Sequence, residues 1–157
     1  MLRDVRIERI EPLAGGAAFG DAGPYERLSG SAHGEIDPAL PGNRAIVGLD
    51  GAPRNARGFV EYRTDWVVMR PCDPARGNRR LLYEVNNRGR PLVFGMFADA
   101  PGGVIAPRAL AELGNGFPLH RGFTMAWSGW DPGVARDRGG LALDAAVARE
   151  AHGPVVR

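Results

Sequence analysis

The sequence predicts a mixed α/β protein, with an antiparallel, β-rich N-terminal part that leads into the beginning of a parallel α/β sheet. Three observations carry this. Up to Pro71 the apolar residues alternate with polar ones or cluster in β-branched and aromatic runs, and Gly and Pro break them before any helical period builds up. From Arg80 the strand-like runs become nearly continuous in apolar character, as strands covered on both faces do. Two such runs are separated by a helix-compatible segment, the spacing of a β–α–β unit with parallel strands. The parts so defined are residues 1–79 and 80–157, read as one continuous, incomplete domain.

Each element has a local reason. Val5 to Pro12 alternates apolar and charged residues and reads as a half-buried strand with Val5 and Ile7 on one face, ended by Pro12. Tyr25 to Ile36 reads as a strand or hairpin weakened by Gly30 and Gly34. A turn at Asp37–Asn43, with two prolines and a glycine, precedes a short strand at Arg44–Leu49. Phe59 to Pro71 is β-branched and aromatic, and is the clearest strand of the first part. Leu81 to Val85 is a covered strand that ends in the turn Asn86–Gly89. Ala106 to Gly116 is predicted to be helical, with Pro107 in its first turn, Leu110 and Leu113 sharing a face and Gly114 as a cap. Phe123 to Trp130 is a second covered strand. Leu141 to Val147 is an apolar run that suits either a helix or a strand.

Composition excludes several function classes. The chain has 157 residues, enough for one domain or a piece of a larger one. All 20 basic residues are arginine; with 18 acidic residues they leave a net charge of +2. The arginines lie in turns and form no stripe with interleaved aromatics, so no nucleic-acid partner is expected. A single cysteine, Cys72, excludes an intrachain disulfide. No cationic start followed by an apolar run is present, and no apolar run approaches ~20 residues. A cytoplasmic protein with no membrane partner is therefore expected. His33, His120 and His152 are far apart and lack ligand spacing, so no metal is expected, and no cofactor fingerprint occurs.

The segment "AWSGW" places Ser128 where a hydrolase nucleophile could stand. A nucleophile elbow carries glycines two residues before and after its serine, to allow a strained strand-to-helix turn. Here those positions are Ala126 and Trp130, and the following "DPG" opens a loop, so Ser128 reads as a strand-terminal serine. Ser29, Ser31 and His33 alternate along one strand without an orienting carboxylate and read as polar surface. Asp21, Asp37, Asp50, Asp73 and Asp131 all stand beside Pro or Gly, as turn residues do. "EVNNRG" is different. It follows a strand at its carboxyl end, where open α/β sheets place their sites. A loop there can present backbone N–H groups to a developing oxyanion, and Asn86, Asn87 and Arg88 are the candidates. Two asparagines and a glycine also simply make a tight turn.

The blocks "AGPYERLSGSAHGEIDPALPGN", "APRNARGFVEY", "LLYEVNNRG" and "NGFPLHRGFTMAWSGWDPG" occur in this order. Together they resemble a family of long bacterial proteins described as α/β-hydrolase domain-containing. The resemblance covers roughly Tyr25 to Trp130. It implies that "LLYEVNNRG" and "FTMAWSGW" are the early strands of an α/β-hydrolase-like sheet, truncated here. The turn at Asn87 and Arg88 would then be the oxyanion loop. It implies an esterase-type hydrolase acting on a small acyl ester in its full-length form, with its serine, acid and histidine beyond Arg157. The chain alone is then expected to be inactive and to self-associate through an exposed sheet edge. The competing expectation is a non-enzymatic β-rich binding or partner-interaction module.

Overall fold

A computed structural model describes residues 1–148. It is a mixed α/β protein, dominated by one sheet of six strands: β1 (Leu2–Pro12), β2 (Tyr25–Ile36), β3 (Val60–Pro71), β4 (Leu81–Tyr83), β5 (Thr124–Ser128) and β6 (Leu143–Ala145). The order across the sheet is β1-β2-β3-β5-β4, with β6 on β3. The two parts read from the sequence thus share one sheet, joined where β3 pairs with β5. All pairings are antiparallel except β4 with β5, which is parallel, as the strand–crossover–strand spacing predicts.

The two faces of the sheet differ. Cross-strand partners share a face, so the register sets Tyr25, Met69, Val67, Met125 and Trp127 on one side. There they are buried against Leu13, Phe19, Leu113, Leu119 and Leu141, and against Val93 and Phe94 of the short helix α1 (Val93–Phe97). A second short helix, α2 (Phe117–His120), delivers Leu119. The Tyr25 hydroxyl lies 3.0 Å from the carbonyls of Leu119 and Phe123, and burial pushes its pKa up. The opposite face carries Val5, Ile7, Ile10, Leu28, Trp66 and Val68, none of which belongs to this core cluster. Its glycines have a use. A Cβ on Gly34 would lie 2.2 Å from the Tyr62 ring, and one on Gly30 would lie 2.9 Å from the Trp66 ring. The aromatic rings of β3 therefore lie over the glycines of β2, so these glycines do not weaken the strand.

Several expectations from the sequence are corrected. β1 is not half-buried: Val5, Ile7 and Ile10 are all more than half exposed, because β1 is an edge strand and nothing covers its apolar side. Arg44–Leu49 forms turns and no strand. Leu81–Val85 is covered on one face only: Leu82 packs against the core, while Leu81, Tyr83 and Val85 are exposed because alternate residues of the run lie on the open face of the sheet. The segment Ala106–Gly116 holds only a 3-10 turn at Leu110–Glu112. No helix runs in from Pro107, because Ala109 is extended (φ −87°, ψ 154°) and the Arg108 carbonyl accepts from Ala14 N at 2.8 Å; Gly114, with φ of 59°, ends the turn as the expected cap does. Only Leu113 of the expected apolar pair is buried, while Leu110 is exposed. The Leu141–Val147 run becomes the strand β6 at its centre.

Candidate functional site

The parallel pair places two chain turns side by side at its carboxyl end. β4 runs on through Glu84 and Asn86 into the turn Asn87–Arg90, and β5 runs on through Gly129 to Asp131. Side chains tie the two together. Trp127 Nε1 donates to Glu84 Oε2 at 2.6 Å, and Glu84 also accepts from the amides of Leu92 and Val93 at the start of α1. The Asn86 amide donates to the Ser128 carbonyl at 2.7 Å, and its oxygen accepts from Gly89 N at 2.6 Å. Trp130 Nε1 donates to the Asn86 carbonyl at 2.7 Å. Asn86 is fully buried, so these bonds offset the cost of taking its amide out of water.

The turn itself is a tight reversal. Arg88 and Gly89 both have positive φ, 49° and 78°, and the Asn87 and Arg90 main chains exchange hydrogen bonds at 2.9 and 3.2 Å. The amides of Asn87, Gly89 and Arg90 are thereby engaged. Among the described residues the Arg88 amide has no such partner. Of Asn87 and Arg88, the two residues of the expected oxyanion loop, Arg88 therefore retains a free backbone donor and Asn87 does not. Arg88 also carries φ in the left-handed region, which a non-glycine residue adopts only at a cost. Gly89 packs against the returning chain: a Cβ there would lie 2.6 Å from Val134 and 2.8 Å from Leu141 N.

A cleft of about 520 Å³ opens beside this turn. Its walls include Asn87, Arg88, Arg90, Asp131 and Arg138. The volume lies within the range of small-molecule sites. Arg88 Nε stands 3.7 Å from Asp131 Oδ2, while Arg90 and Arg138 have no carboxylate partner among the described residues. The cleft is therefore cationic and suited to a group that bears or develops negative charge.

Among the described residues the serines and histidines do not assemble into a relay. Ser128 Oγ is 2.7 Å from Tyr83 Oη, on the open face of the sheet. Gly129 after it serves the fold: a Cβ there would lie 2.2 Å from the Ala142 carbonyl, where the chain returns to pair β6 with β3. Ser31 Oγ donates to Glu8. His120 stacks edge-on to Phe19 at 5.5 Å, and His33 stands in β2 with no serine bonded to it. His152 lies outside the described residues. Among the described residues no cluster of three or more His, Cys, Asp or Glu could hold a metal ion, and no helix is long and apolar enough to cross a membrane.

The sequence alone missed the role of Glu84 and of the two tryptophans. The signal was present in the strand-end positions of Glu84, Trp127 and Trp130, but nothing local to either segment says that they meet. Comparison with family models, with curated proteins and with solved structures gave no match.

Proposed function

We propose that the chain is the N-terminal portion of an esterase-type, α/β-hydrolase-like protein, and that it does not turn over esters alone. The observation that carries this reading is the parallel β4–β5 pair, whose carboxyl ends bring the Asn87–Arg90 turn and Asp131 to one cationic cleft. That is where an open α/β sheet offers backbone donors to a reacting group. The substrate of the full-length form is a small acyl ester. The Arg88 amide is the donor to its developing oxyanion, because Asn87 N–H is held by Arg90. A serine hydroxyl needs a base to become a good nucleophile, and no described serine is hydrogen-bonded to a histidine. The test is an amide-resolved NMR titration with a short-chain boronic acid or phosphonate that mimics the tetrahedral adduct. The Arg88 amide should shift and saturate. If Arg88 stays still while the analogue binds elsewhere, the oxyanion role is wrong.

A second reading, a non-enzymatic partner module, is favoured by the open apolar face around Val5, Ile7 and Ile10. Self-association belongs to either reading, and its route is this face. The outer edge of β1 is a poor template for strand pairing, because its register shifts at Leu2/Asp4 and again at Ile7/Arg9.

A further inference from the structure

We propose that the chain holds a second binding site, for a small oxyanion such as a carboxylate or phosphate group, built around Arg27. Arg27 stands in β2 on the covered face of the sheet and is 4% exposed. Its Nε and Nη1 are buried with no hydrogen-bond partner among the described residues. The nearest carboxylate, Glu11, is 3.6 Å from Nη1, too far for a hydrogen bond. Glu11 is also shared, lying 3.2 Å from Arg108 and 3.6 Å from Arg9. Three guanidinium groups on one carboxylate leave an excess of two positive charges (three less one).

A buried guanidinium with idle donors is costly, because desolvation is not offset by pairing. Burial first, and the neighbouring Arg108 next, lower the Arg27 pKa to about 10. Arg27 and Arg108 both face a cleft of about 350 Å³ that also exposes Arg9, Ser29 and Arg136. At the far end of this cleft carboxylates outnumber guanidinium groups, because Glu8 stands 3.7 Å from Arg63. Arg63 and Arg136 both contact Asp65 and Asp144 there. The uncompensated charge is thus confined to the Arg27–Arg108 end. Arg108 is held in place by its main chain: its carbonyl accepts from Ala14 N at 2.8 Å and its amide donates to Glu112 at 2.7 Å. Guanidinium groups suit carboxylate and phosphate oxygens, which accept several N–H bonds at once. This cleft is separate from the one at the Asn87–Arg90 turn; of the residues lining the two, only Gly140 is common. The inference therefore does not rest on the esterase reading.

The experiment is isothermal titration calorimetry with inorganic phosphate and with acetate as separate probes, each at constant ionic strength set with chloride. Saturable binding of at least one probe is expected, and the tighter one identifies the chemistry of the natural group. Arg108→Ala, at a half-exposed side chain, should fold and weaken that binding at least tenfold. Arg27→Met keeps most of the volume, removes the buried charge, and should abolish binding without lowering the thermal midpoint. If Arg27→Met fails to fold, Arg108→Ala decides alone. Absence of saturable binding by either probe in the wild-type chain overturns the proposal, as does binding that Arg108→Ala leaves unchanged.

Discussion

The Asn86 side-chain amide donates to the main-chain carbonyl of Ser128 at 2.7 Å. This bond joins the ends of two parallel strands that are 42 residues apart in the chain. With Trp130 Nε1 on the Asn86 carbonyl and Trp127 Nε1 on Glu84, it locks "EVNNRG" and "AWSGW" into one unit. The cleft beside the Asn87–Arg90 turn has its shape because of this unit.

Asn86→Ala should therefore be costly. It leaves the Gly89 amide unpaired in a buried place and removes the donor to Ser128 O. A loss of roughly 2–3 kcal/mol is expected for breaking two buried hydrogen bonds. That corresponds to a fall of about 5–10 °C in thermal midpoint for a domain of this size. Thermal unfolding followed by circular dichroism measures it. Asn87→Ala, at an exposed side chain, should change the midpoint little.

The fold was legible where pattern is local. The alternation and aromatic content of Phe59–Pro71 give β3, and the spacing between Leu81 and Phe123 gives the parallel pair. Burial was not legible. An apolar run such as Leu81–Val85 looks the same whether its faces are covered or open, and only the layer packed on one side of the sheet covers Leu82 and leaves Leu81 and Tyr83 exposed. The expected helix at Ala106–Gly116 failed for a tertiary reason, the hydrogen bond from Ala14 N that takes the Arg108 carbonyl while Ala109 is extended. In the candidate site the turn was legible from Asn, Arg and Gly, but its partners were not. Glu84 meets Trp127 only because β4 and β5 lie in register, and Arg27 meets Glu11 only across β1 and β2.

Glycines at close approaches should be intolerant of any side chain. Gly129→Ala would force a Cβ to 2.2 Å from the Ala142 carbonyl, where backbone must move. It should detach β6 from β3 or prevent folding. Gly42→Ala is the control, since nothing lies within 4 Å of the added Cβ. Hydrogen exchange of the Asp65 and Leu143 amides, compared across the two variants, reads the difference: fast exchange in Gly129→Ala and unchanged exchange in Gly42→Ala.

Stability should fall in acid through carboxylates held below their ordinary values, Glu35, Glu112 and Asp144. At Glu35, burial acts to raise the pKa, but hydrogen bonds from Arg3 and Arg57 outweigh it and hold the group below its ordinary 4.5. At Asp144, the hydrogen bond from Arg136 is the largest effect and holds the group below its ordinary 3.8. A carboxylate whose folded pKa is depressed stabilises the fold fully above its unfolded value and loses that contribution as pH falls through the folded value. The urea midpoint should thus be flat above about pH 5 and decline below about pH 4.5. In Arg136→Gln the decline should be shallower, because Asp144 loses its principal donor. Equal acid slopes in the two proteins would remove Asp144 from this account.

The open face should drive association. The exposed apolar patch is carried by Val5, Ile7 and Ile10 of β1, while Leu28, Ala32 and Val60 on the same face are buried. Along this face the only charged cross-strand pair is Glu26 with Arg70, at one end and bonded at 2.7 Å. Sedimentation velocity should show a sedimentation coefficient that rises with protein concentration. Ile7→Asp, at a side chain more than half exposed, should reduce the rise while leaving the circular dichroism unchanged. A concentration-independent monomer in the wild-type chain would count against the open face as the route.

The most direct test of the functional account is the reaction of the chain itself with a fluorophosphonate, read by intact mass alongside turnover of short acyl esters. Ser128 Oγ is paired with Tyr83 Oη, and among the described residues no histidine is bonded to it to take its proton. The account predicts no covalent adduct, ester turnover at background, and no change in either on Ser128→Ala. A stoichiometric adduct on Ser128, with ester turnover that Ser128→Ala abolishes, would contradict it.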